Sequence, residues 1–345
     1  MQQMETTVTV SGSTLRSFVL EDNATFCTLG FEKTYLSDMT FGTNCRVKSL
    51  KIAHSKLDHL PESVDKLNAL ESLTLSHSLV QAIDLDVVAE LPRLILLNLS
   101  RNRIHSLYDT RDTVNELRFP MLADLYLREN KLKSINMYLF RSMQSLTRID
   151  LSHNNIGVVS GMLVSDKLVS LDLSFNRLFE IDCCEWVVPM LRSVDFNDNR
   201  FQVLPKCLEQ ALGNVSRLAF DNNSLRPDEL FRFGRMDNLQ LLTLSDNNLT
   251  HVPLNKRTIP RNLTYLNLGN NNLRDLDVSY VPSKELHIDV NSNCIRNLEW
   301  NRVSTNLTKL SMVGNPLDCS FFTSSSRADV KSKLICIKHK IANCD

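Results

Sequence analysis

The sequence predicts an α/β solenoid, in which about twelve short segments each add one strand to a single parallel sheet. The first observation is an apolar frame: in Leu168–Leu178, leucines occupy places one, four, six and eleven of an eleven-residue segment that recurs along the chain. The second is place nine, which holds asparagine in ten segments and serine in two. The third is the step between segments, 22 to 24 residues with one step of 28. A period of this length indicates a repeat architecture rather than separate domains.

Each element of the segment has a physical role. The apolar places stack on their counterparts one repeat away and form a continuous core that no single repeat could make. The amide at place nine can both donate and accept, so it can satisfy backbone groups of the turn after each strand. Serine does this less fully. The twelve segments are Val47–Leu57, Leu70–Val80, Leu94–Ile104, Leu122–Leu132, Leu146–Ile156, Leu168–Leu178, Leu191–Phe201, Val215–Leu225, Leu239–Leu249, Leu263–Leu273, Glu285–Ile295 and Leu307–Leu317.

This frame resembles the leucine-rich repeat. The resemblance implies a right-handed horseshoe with a concave parallel sheet, capped at both ends. We therefore divide the chain into a loose N-terminal tail (1–26), an N-terminal cysteine cap (27–46), the repeats (47–318) and a C-terminal cysteine cap (319–345). Large aromatic residues lie ten residues after three of the asparagines, at Phe140, Trp186 and Phe233. We interpret them as a core-filling spine; the alternative is an exposed binding stripe.

Composition excludes some function classes. Lys plus Arg equals Asp plus Glu at 39 each, which gives no general attraction to nucleic acid or to an anionic membrane. No apolar run approaches the roughly 18 residues that a membrane span needs. The first residues, Met1–Thr7, lack the basic patch and apolar core of a signal peptide. The chain is therefore either cytosolic or a secreted chain whose signal is missing from this sequence.

The cysteines favour secretion, because several lie before the first repeat and after the last. A Cys27–Cys45 bridge would close a short loop in the N-terminal cap. Cys184 and Cys207 each follow a place-nine asparagine by eight residues, so consecutive repeats bring them within reach of a disulfide. Cys183 is the rival partner, and unpaired buried thiols are the alternative.

Three further cysteine predictions concern the C-terminal part. Cys294 directly follows its asparagine and is expected to be a buried free thiol. The segment Asn315–Cys319 resembles the start of the C-terminal caps of extracellular leucine-rich-repeat proteins, and that resemblance implies a Cys319–Cys344 pair. Nine cysteines is an odd number, so one is unpaired or bonded to another chain, and Cys336 and Cys344 are the intermolecular candidates.

Seven Asn-x-Ser/Thr sequons are present, and they permit secretion without demonstrating it. The glycosylation candidates are Asn23, Asn214, Asn248, Asn262 and Asn306.

No catalytic, cofactor or metal site is predicted. The sequence contains no nucleophile elbow, phosphate-binding loop, zinc-protease motif or dinucleotide glycine fingerprint. His54 and His77 occupy place eight of adjacent repeats, about 5 Å apart at the spacing of neighbouring strands. Two imidazoles without a third ligand make a poor metal site. Exposed surface histidines are the better interpretation.

The concave face is the predicted binding surface, and its charge is polarised. Places three, five, seven and eight point towards or flank the concavity. Basic residues lie in the N-terminal third and acidic ones in the middle and C-terminal part. The alternative is solvation alone, because Asp at place five is common in this repeat. The predicted protein-binding residues are Tyr126, Arg128, Asp150, Asp172, Phe175, Asp195, Asp198, Asp221 and Asp246, and the expected partner is a protein of basic character.

A narrower resemblance concerns the insect (mosquito-type) leucine-rich immune proteins. It rests on the cysteine-flanked start Phe26–Cys45, on Leu57–Pro61 with Leu70–Leu75, on Leu127–Leu132 and on the Cys319 cap. It implies a secreted haemolymph protein that binds thioester-containing complement-like proteins or pathogens. Many such proteins pair through a disulfide-linked coiled coil. This sequence has no heptad run, which indicates a coil-less member or a truncated piece.

Two alternatives remain from the sequence. One is the ectodomain of an adhesion or signalling receptor, with a membrane anchor beyond residue 345. The other, from a different class, is an intracellular scaffold or enzyme inhibitor, which would keep its cysteines reduced.

Overall fold

A computed structural model describes residues 6–110, 119–318, 332–336 and 344. The chain forms two compact units. The first comprises residues 1–176 and 185–190, and the second comprises residues 177–184 and 191–345. Each is built on a parallel sheet to which successive turns of the chain add one strand each, which confirms the predicted α/β solenoid. All twelve predicted repeats contribute a strand.

In the first unit, the described strands of the main sheet pair in parallel with their neighbours. These strands are Thr7–Ser11, Thr28–Glu32, Ser49–Ala53, Ser72–Ser76, Leu96–Asn98, Asp124–Tyr126, Arg148–Asp150 and Ser170–Asp172. The returning side of the turns forms shorter parallel pairs, namely Ser17–Leu20 with Asp38–Phe41, Ala82–Asp84 with Ser106–Tyr108, and Ser134–Asn136 with Val158–Ser160. The helical segments are short: Glu62–Lys66, Asp86–Ala89 and Met137–Phe140.

The second unit repeats the plan. The described strands of its sheet are Ser193–Asp195, Arg217–Ala219, Leu241–Thr243, Tyr265–Asn267, His287–Asp289, Lys309–Ser311 and Leu334–Ile335. Its helical segments are Leu208–Ala211, Pro227–Arg235 and Trp300–Arg302. The last strand lies in the region predicted as a C-terminal cap, so that region adds a strand to the sheet.

Alternation along each short strand separates the core from the surface. The middle residue, at place four, is buried, whereas its neighbours at places three and five are mostly half-buried and point to the other side of the sheet. Place six is buried again, as at Leu173 and Leu268. We call the surface formed by places three, five, seven and eight the open face of each unit.

Place eight has one backbone conformation in all twelve repeats. Its φ is positive, from 50° to 60° at the eleven non-glycine residues and 77° at Gly314. This left-handed conformation costs a non-glycine residue about 1–2 kcal/mol. It turns the chain out of the strand and directs the place-eight N–H to the place-seven carbonyl of the next turn, as from His153 to Ser174 and from Asn222 to Ser245.

Place nine compensates for this turn through its amide. Asn271 Oδ1 accepts from the N–H of Leu249 at 2.9 Å, and its Nδ2 donates to the carbonyls of Leu244, Leu268 and Gly269. Equivalent bonds recur at the asparagines of both units. The serines form a smaller set, in which Ser55 Oγ and Ser78 Oγ lie 2.8 Å apart. The predicted difference between asparagine and serine is therefore present.

The N-terminal prediction was wrong, because residues 6–46 form two more turns rather than a tail and a cap. Thr7–Ser11 pairs with Thr28–Glu32, which pairs with the first predicted repeat. The places follow the same frame: Gly12 and Lys33 have positive φ at place eight, and Thr34 is buried at place nine. The Thr34 hydroxyl has no hydrogen-bond partner among the described residues.

This frame also explains why Cys27 and Cys45 are free rather than bridged. In consecutive turns, the Cys27 carbonyl accepts from Lys48, whereas the Ala24 carbonyl accepts from Arg46. The two cysteines therefore stand about three residues out of register. The Cys45 thiol lies instead 3.4 Å from the Glu21 carbonyl.

Cys184 and Cys207 form a disulfide with Cα atoms 4.9 Å apart, as their equal offsets predict. Cys183, the rival partner, is a free and buried thiol that donates to the Lys206 carbonyl at 2.8 Å, and burial raises its pKa to about 12.

Two C-terminal predictions were wrong. Cys294 is bonded to Cys344, with Cα atoms 5.5 Å apart, so Cys294 is not a free thiol and the Cys319–Cys344 pair is not formed. Cys344 is consumed within the chain, and Cys336 is disulfide-bonded as well, which removes both as intermolecular candidates in this structure. Cys319 lies outside the described residues. No repeat offset relates Cys294 to Cys344, which explains why periodicity missed the pair.

The predicted aromatic spine is buried, with Phe140, Trp186 and Phe233 exposing 2%, 4% and 1% of their surfaces. Phe140 and Phe233 lie in short helical segments of their units. The alternative of an exposed aromatic stripe is therefore wrong.

The place-nine amide should dominate local stability. We expect Asn271→Ala to lower the free energy of unfolding by about 3 kcal/mol, because it leaves several buried backbone groups without partners. The neighbouring Asn272 is exposed, so Asn272→Ala is a matched control with an effect within about 0.5 kcal/mol. Urea unfolding followed by circular dichroism measures both, and equal effects of the two substitutions would contradict the role given to the amide.

Candidate functional site

The open face of the first unit carries five of the predicted binding residues. Tyr126, Asp150 and Asp172 stand at place five of three successive turns and are half-buried. Arg128 is exposed at place seven, and Phe175 is 46% exposed at place eight. The structure therefore places all five on one surface of this unit.

The two aspartates are anchored to their own turns. Asp150 Oδ1 accepts from the N–H and Oγ of Ser152, at 2.9 and 2.6 Å. Asp172 makes the same two bonds to Ser174. Burial raises the pKa of Asp172, and the neighbouring Asp150 carboxylate raises it further, whereas the bonds from Ser174 lower it.

The hydrogen bond between the place-five side chain and its own turn recurs in both units. A place-five carboxyl or amide oxygen accepts the backbone N–H two residues further on, as in an Asx turn. The residues that do so are Asn98, Asp150, Asp172, Asp195, Asn267 and Asp289. Aspartate at place five therefore serves the turn first, and only charge beyond this set points to a partner.

Side chains at place eight form a column along the first unit. Phe175 stacks on His153, with ring centroids 4.0 Å apart and planes 9° apart. Arg101 and Arg128 both bind Glu129, at 3.0 and 3.1 Å. Arg128 is therefore partly neutralised, whereas Phe175 is an exposed aromatic ring stacked on the half-buried His153.

The N-terminal third of the open face carries less positive charge than the sequence suggests. His54 and His77 lie with ring centroids 4.3 Å apart, as their adjacent places predict. Arg101 Nη1 is 2.9 Å from His77 Nε2, and since a guanidinium only donates, His77 accepts there as a neutral ring. Burial, then His54 and Arg101, lowers the pKa of His77. No cluster of three metal-ligating side chains occurs in the part of the chain that the structure describes.

The open face of the second unit carries the other four predicted residues. Asp195 serves its own turn, but Asp198, Asp221 and Asp246 are not place-five residues. Asp221 accepts from the N–H and Oγ of Ser245 in the next turn, at 2.6 and 2.7 Å. Among the described residues, no cation forms a salt bridge with Asp198, Asp221 or Asp246. These carboxylates are the uncompensated charge of this face.

One regular pattern in this unit is not among the features predicted from the sequence. At place eight, aspartate and asparagine alternate over four turns, and each amide donates back to the carboxylate of the turn before it. Asn222 donates to Asp198, and Asn270 donates to Asp246 at 3.4 Å. The order Asp198, Asn222, Asp246, Asn270 was visible in the sequence as one column of the repeat. Only the shared left-handed backbone shows that these side chains stand in a row.

The class of protein follows from this architecture. Models of the leucine-rich repeat match residues 45–104, 120–178 and 262–283. Osteomodulin from Bos taurus is 28% identical over 237 residues, which are 66% of this chain and 53% of that protein. Fibromodulin from Sus scrofa is 30% identical over 139 residues, which are 39% of this chain and 89% of that sequence. The chain belongs to the leucine-rich-repeat family.

A solved structure agrees on the fold. The leucine-rich-repeat domain of APL1B superposes with a TM-score of 0.54 at 20% identity, covering 90% of this chain and 82% of that one. At this identity the likeness shows the fold alone. The chain spans about half the length of osteomodulin, so whole-protein activities do not transfer from that relative.

Four of the five glycosylation candidates are exposed, namely Asn23, Asn214, Asn248 and Asn262. Asn306 is half-buried, and its Nδ2 donates to the Val281 carbonyl at 3.1 Å. Within the described ranges, none of the helices has the length and apolar character that crossing a membrane requires.

The raised pKa of Asp172 gives a pH prediction. A carboxyl whose pKa is raised by folding favours the folded state when protonated, and that contribution is lost as pH rises through the folded pKa. Asp172→Asn keeps the oxygen that accepts from Ser174 and removes the charge, so we expect it to raise the unfolding midpoint at pH 7. The gain should vanish well below pH 3.8, the ordinary pKa. Thermal unfolding between pH 2.5 and 7 measures it, and a pH-independent difference would contradict this origin.

Proposed function

We propose that the chain is an extracellular, non-catalytic recognition protein whose open face binds a basic protein partner. The observation that carries the proposal is that the carboxylates of Asp198, Asp221 and Asp246 have no cationic partner among the described residues. The hydrogen bonds that they accept come from neutral groups of the next turn. Negative charge that no cation neutralises favours a partner of opposite sign and speeds its association.

We also propose that the protein is extracellular. Cys184–Cys207 and Cys294–Cys344 are disulfides, and such bonds persist in oxidising environments. Exposed sequons are compatible with this. Osteomodulin and fibromodulin are similar chains of the same family, which supports a recognition role rather than catalysis.

The finer proposal is a secreted innate-immune factor that binds thioester-containing complement-like proteins or pathogen proteins. It is supported by the resemblance of Leu57–Pro61, Leu70–Leu75 and Leu127–Leu132 to the insect leucine-rich immune proteins. The uncompensated acidic column of the second unit would select the basic surfaces among such partners.

The compartment can be tested on native protein. Non-reducing peptide mass spectrometry should find Cys184 linked to Cys207 and Cys294 linked to Cys344, with Cys183 alkylated only after unfolding. Glycan is expected on at least one of the exposed sequons. Reduced thiols at all four bonded positions, together with bare asparagines, would contradict an extracellular protein and favour an intracellular scaffold.

The binding face is tested by charge. Asparagine already occupies alternate turns of the place-eight column, so the variant Asp198→Asn with Asp246→Asn should fold normally. Its affinity for the basic partner should fall by about fivefold. Lys at both positions should weaken it by about thirtyfold, because repulsion replaces attraction. Partners captured from the source fluid are quantified against wild type at two salt concentrations.

The control for this experiment is Glu180→Lys, an exposed acid of the same unit on the returning side of its turn. It should leave capture unchanged. If the control and the double variant lose the partner equally, net charge rather than the open face is responsible and the proposed site is wrong.

A further inference from the structure

A groove in the second unit passes three consecutive turns on the side where the chain returns after each strand. Its volume is about 520 Å³. Three short segments line it, residues 251–255, 275–279 and 297–299, together with Arg302. Each segment starts four residues after a place-nine asparagine. The groove is therefore a regular position of the repeat at which three turns leave space.

In part of the first unit, the same places are closed by backbone pairing. In the first unit, Ser134–Asn136 pairs with Val158–Ser160, and both start four residues after their asparagine. None of the three groove segments lies in a strand, and no backbone hydrogen bond joins them within the described ranges. The N–H groups of Asp275, Leu276 and Asp277 donate to no described residue, and neither do those of Asn297 and Leu298.

The side chains of these segments alternate as in a half-buried strand. Leu276 and Val278 are 7% and 2% exposed, whereas Asp275 before them and Asp277 between them are exposed. Leu298 is likewise buried beside an exposed neighbour. Because the alternation has a period of two residues, the apolar side chains form the floor of the groove and the polar side chains form its rim. Segments with this alternation and with unpaired N–H groups can pair with an added strand.

The rim is acidic. It holds Asp275, Asp277 and Glu299 against the single guanidinium of Arg302. Arg302 lies 3.0 Å from Glu299 and 4.0 Å from Asp277, whose carboxylate also accepts from the N–H of Ser279 at 2.9 Å. Asp275 forms no salt bridge with any described residue. The charge of the lining therefore complements a basic occupant.

We propose that this groove binds an extended, basic segment of a partner protein by strand addition. The partner's backbone would accept from free N–H groups among residues 275–277 and 297–298, so main-chain hydrogen bonds would supply part of the affinity and the side chains the preference for a basic segment. Lysine or arginine at every second position would meet Asp275 and Asp277. The site is separate from the open face of this unit and does not rest on the function proposed for that face.

The test uses the whole chain and a defined probe, an end-capped eight-residue peptide of alternating lysine and valine. Hydrogen–deuterium exchange should slow at the amides of residues 275–277 and 297–298 when the peptide is added. Asp275→Lys with Asp277→Lys should lower the affinity for the peptide by about thirtyfold, as measured by fluorescence anisotropy. Both positions are exposed, and the milder Asp275→Asn with Asp277→Asn guards against a folding defect.

The matched control is Glu180→Lys with Asp228→Lys, which changes the same charge at two exposed acids of this unit outside the groove lining and the open face and should leave peptide binding within about twofold. Equal loss in this control and in the groove variant would attribute peptide binding to net charge and overturn the proposal. So would binding without protection of the groove amides, or no binding at about 1 mM peptide. Capture of the native partner through the open face is measured separately, so either proposal can fail alone.

Discussion

The hydrogen bonds made by the place-nine amide are the constraint on which the rest of the structure depends. Each turn leaves its strand through a left-handed residue, and eleven of these in the twelve predicted repeats are not glycine. That conformation is costly, and it also turns polar backbone towards the core. One asparagine answers both problems, because its oxygen accepts from the turn before it and its nitrogen donates to carbonyls of both turns. The leucines supply the core, but the amide fixes how the turns stack.

The same logic separates structural charge from charge that a partner can use. Asp150 and Asp172 resemble a binding pair on the exposed side of a sheet, yet each carboxylate holds the N–H two residues on. Burial of Asp172 and the nearby Asp150 carboxylate raise the pKa of Asp172, and the hydrogen bonds from Ser174 oppose this shift. Asp198 and Asp246 hold no N–H of their own turn. An acidic residue in this fold therefore indicates binding only when its place in the repeat is not already explained.

The sequence predicted the twelve regular turns because leucine and asparagine there leave little freedom. It missed the two N-terminal turns because valine and phenylalanine replace leucine and Ser or Thr replaces asparagine, as at Thr34. Allowing those replacements recovers the frame from residue 5 onwards. Cys184–Cys207 was predictable since equal offsets place two residues side by side. Cys294–Cys344 was not, because no period relates positions 50 residues apart.

Irregular turns are where this fold can acquire new surfaces. Where the returning side forms strands, as at Ser134–Asn136 with Val158–Ser160, its backbone groups are paired with the next turn and are unavailable to a ligand. Pro253 stands six residues after Asn247, at the third residue of the strand that other turns form there, and a proline has no N–H to give to such a ladder. The segments at 251–255, 275–279 and 297–299 form no backbone hydrogen bonds with one another. Their side chains nevertheless alternate between buried and exposed, as in a strand. The regular places thus hold the solenoid together, and the departures from them leave backbone free for recognition.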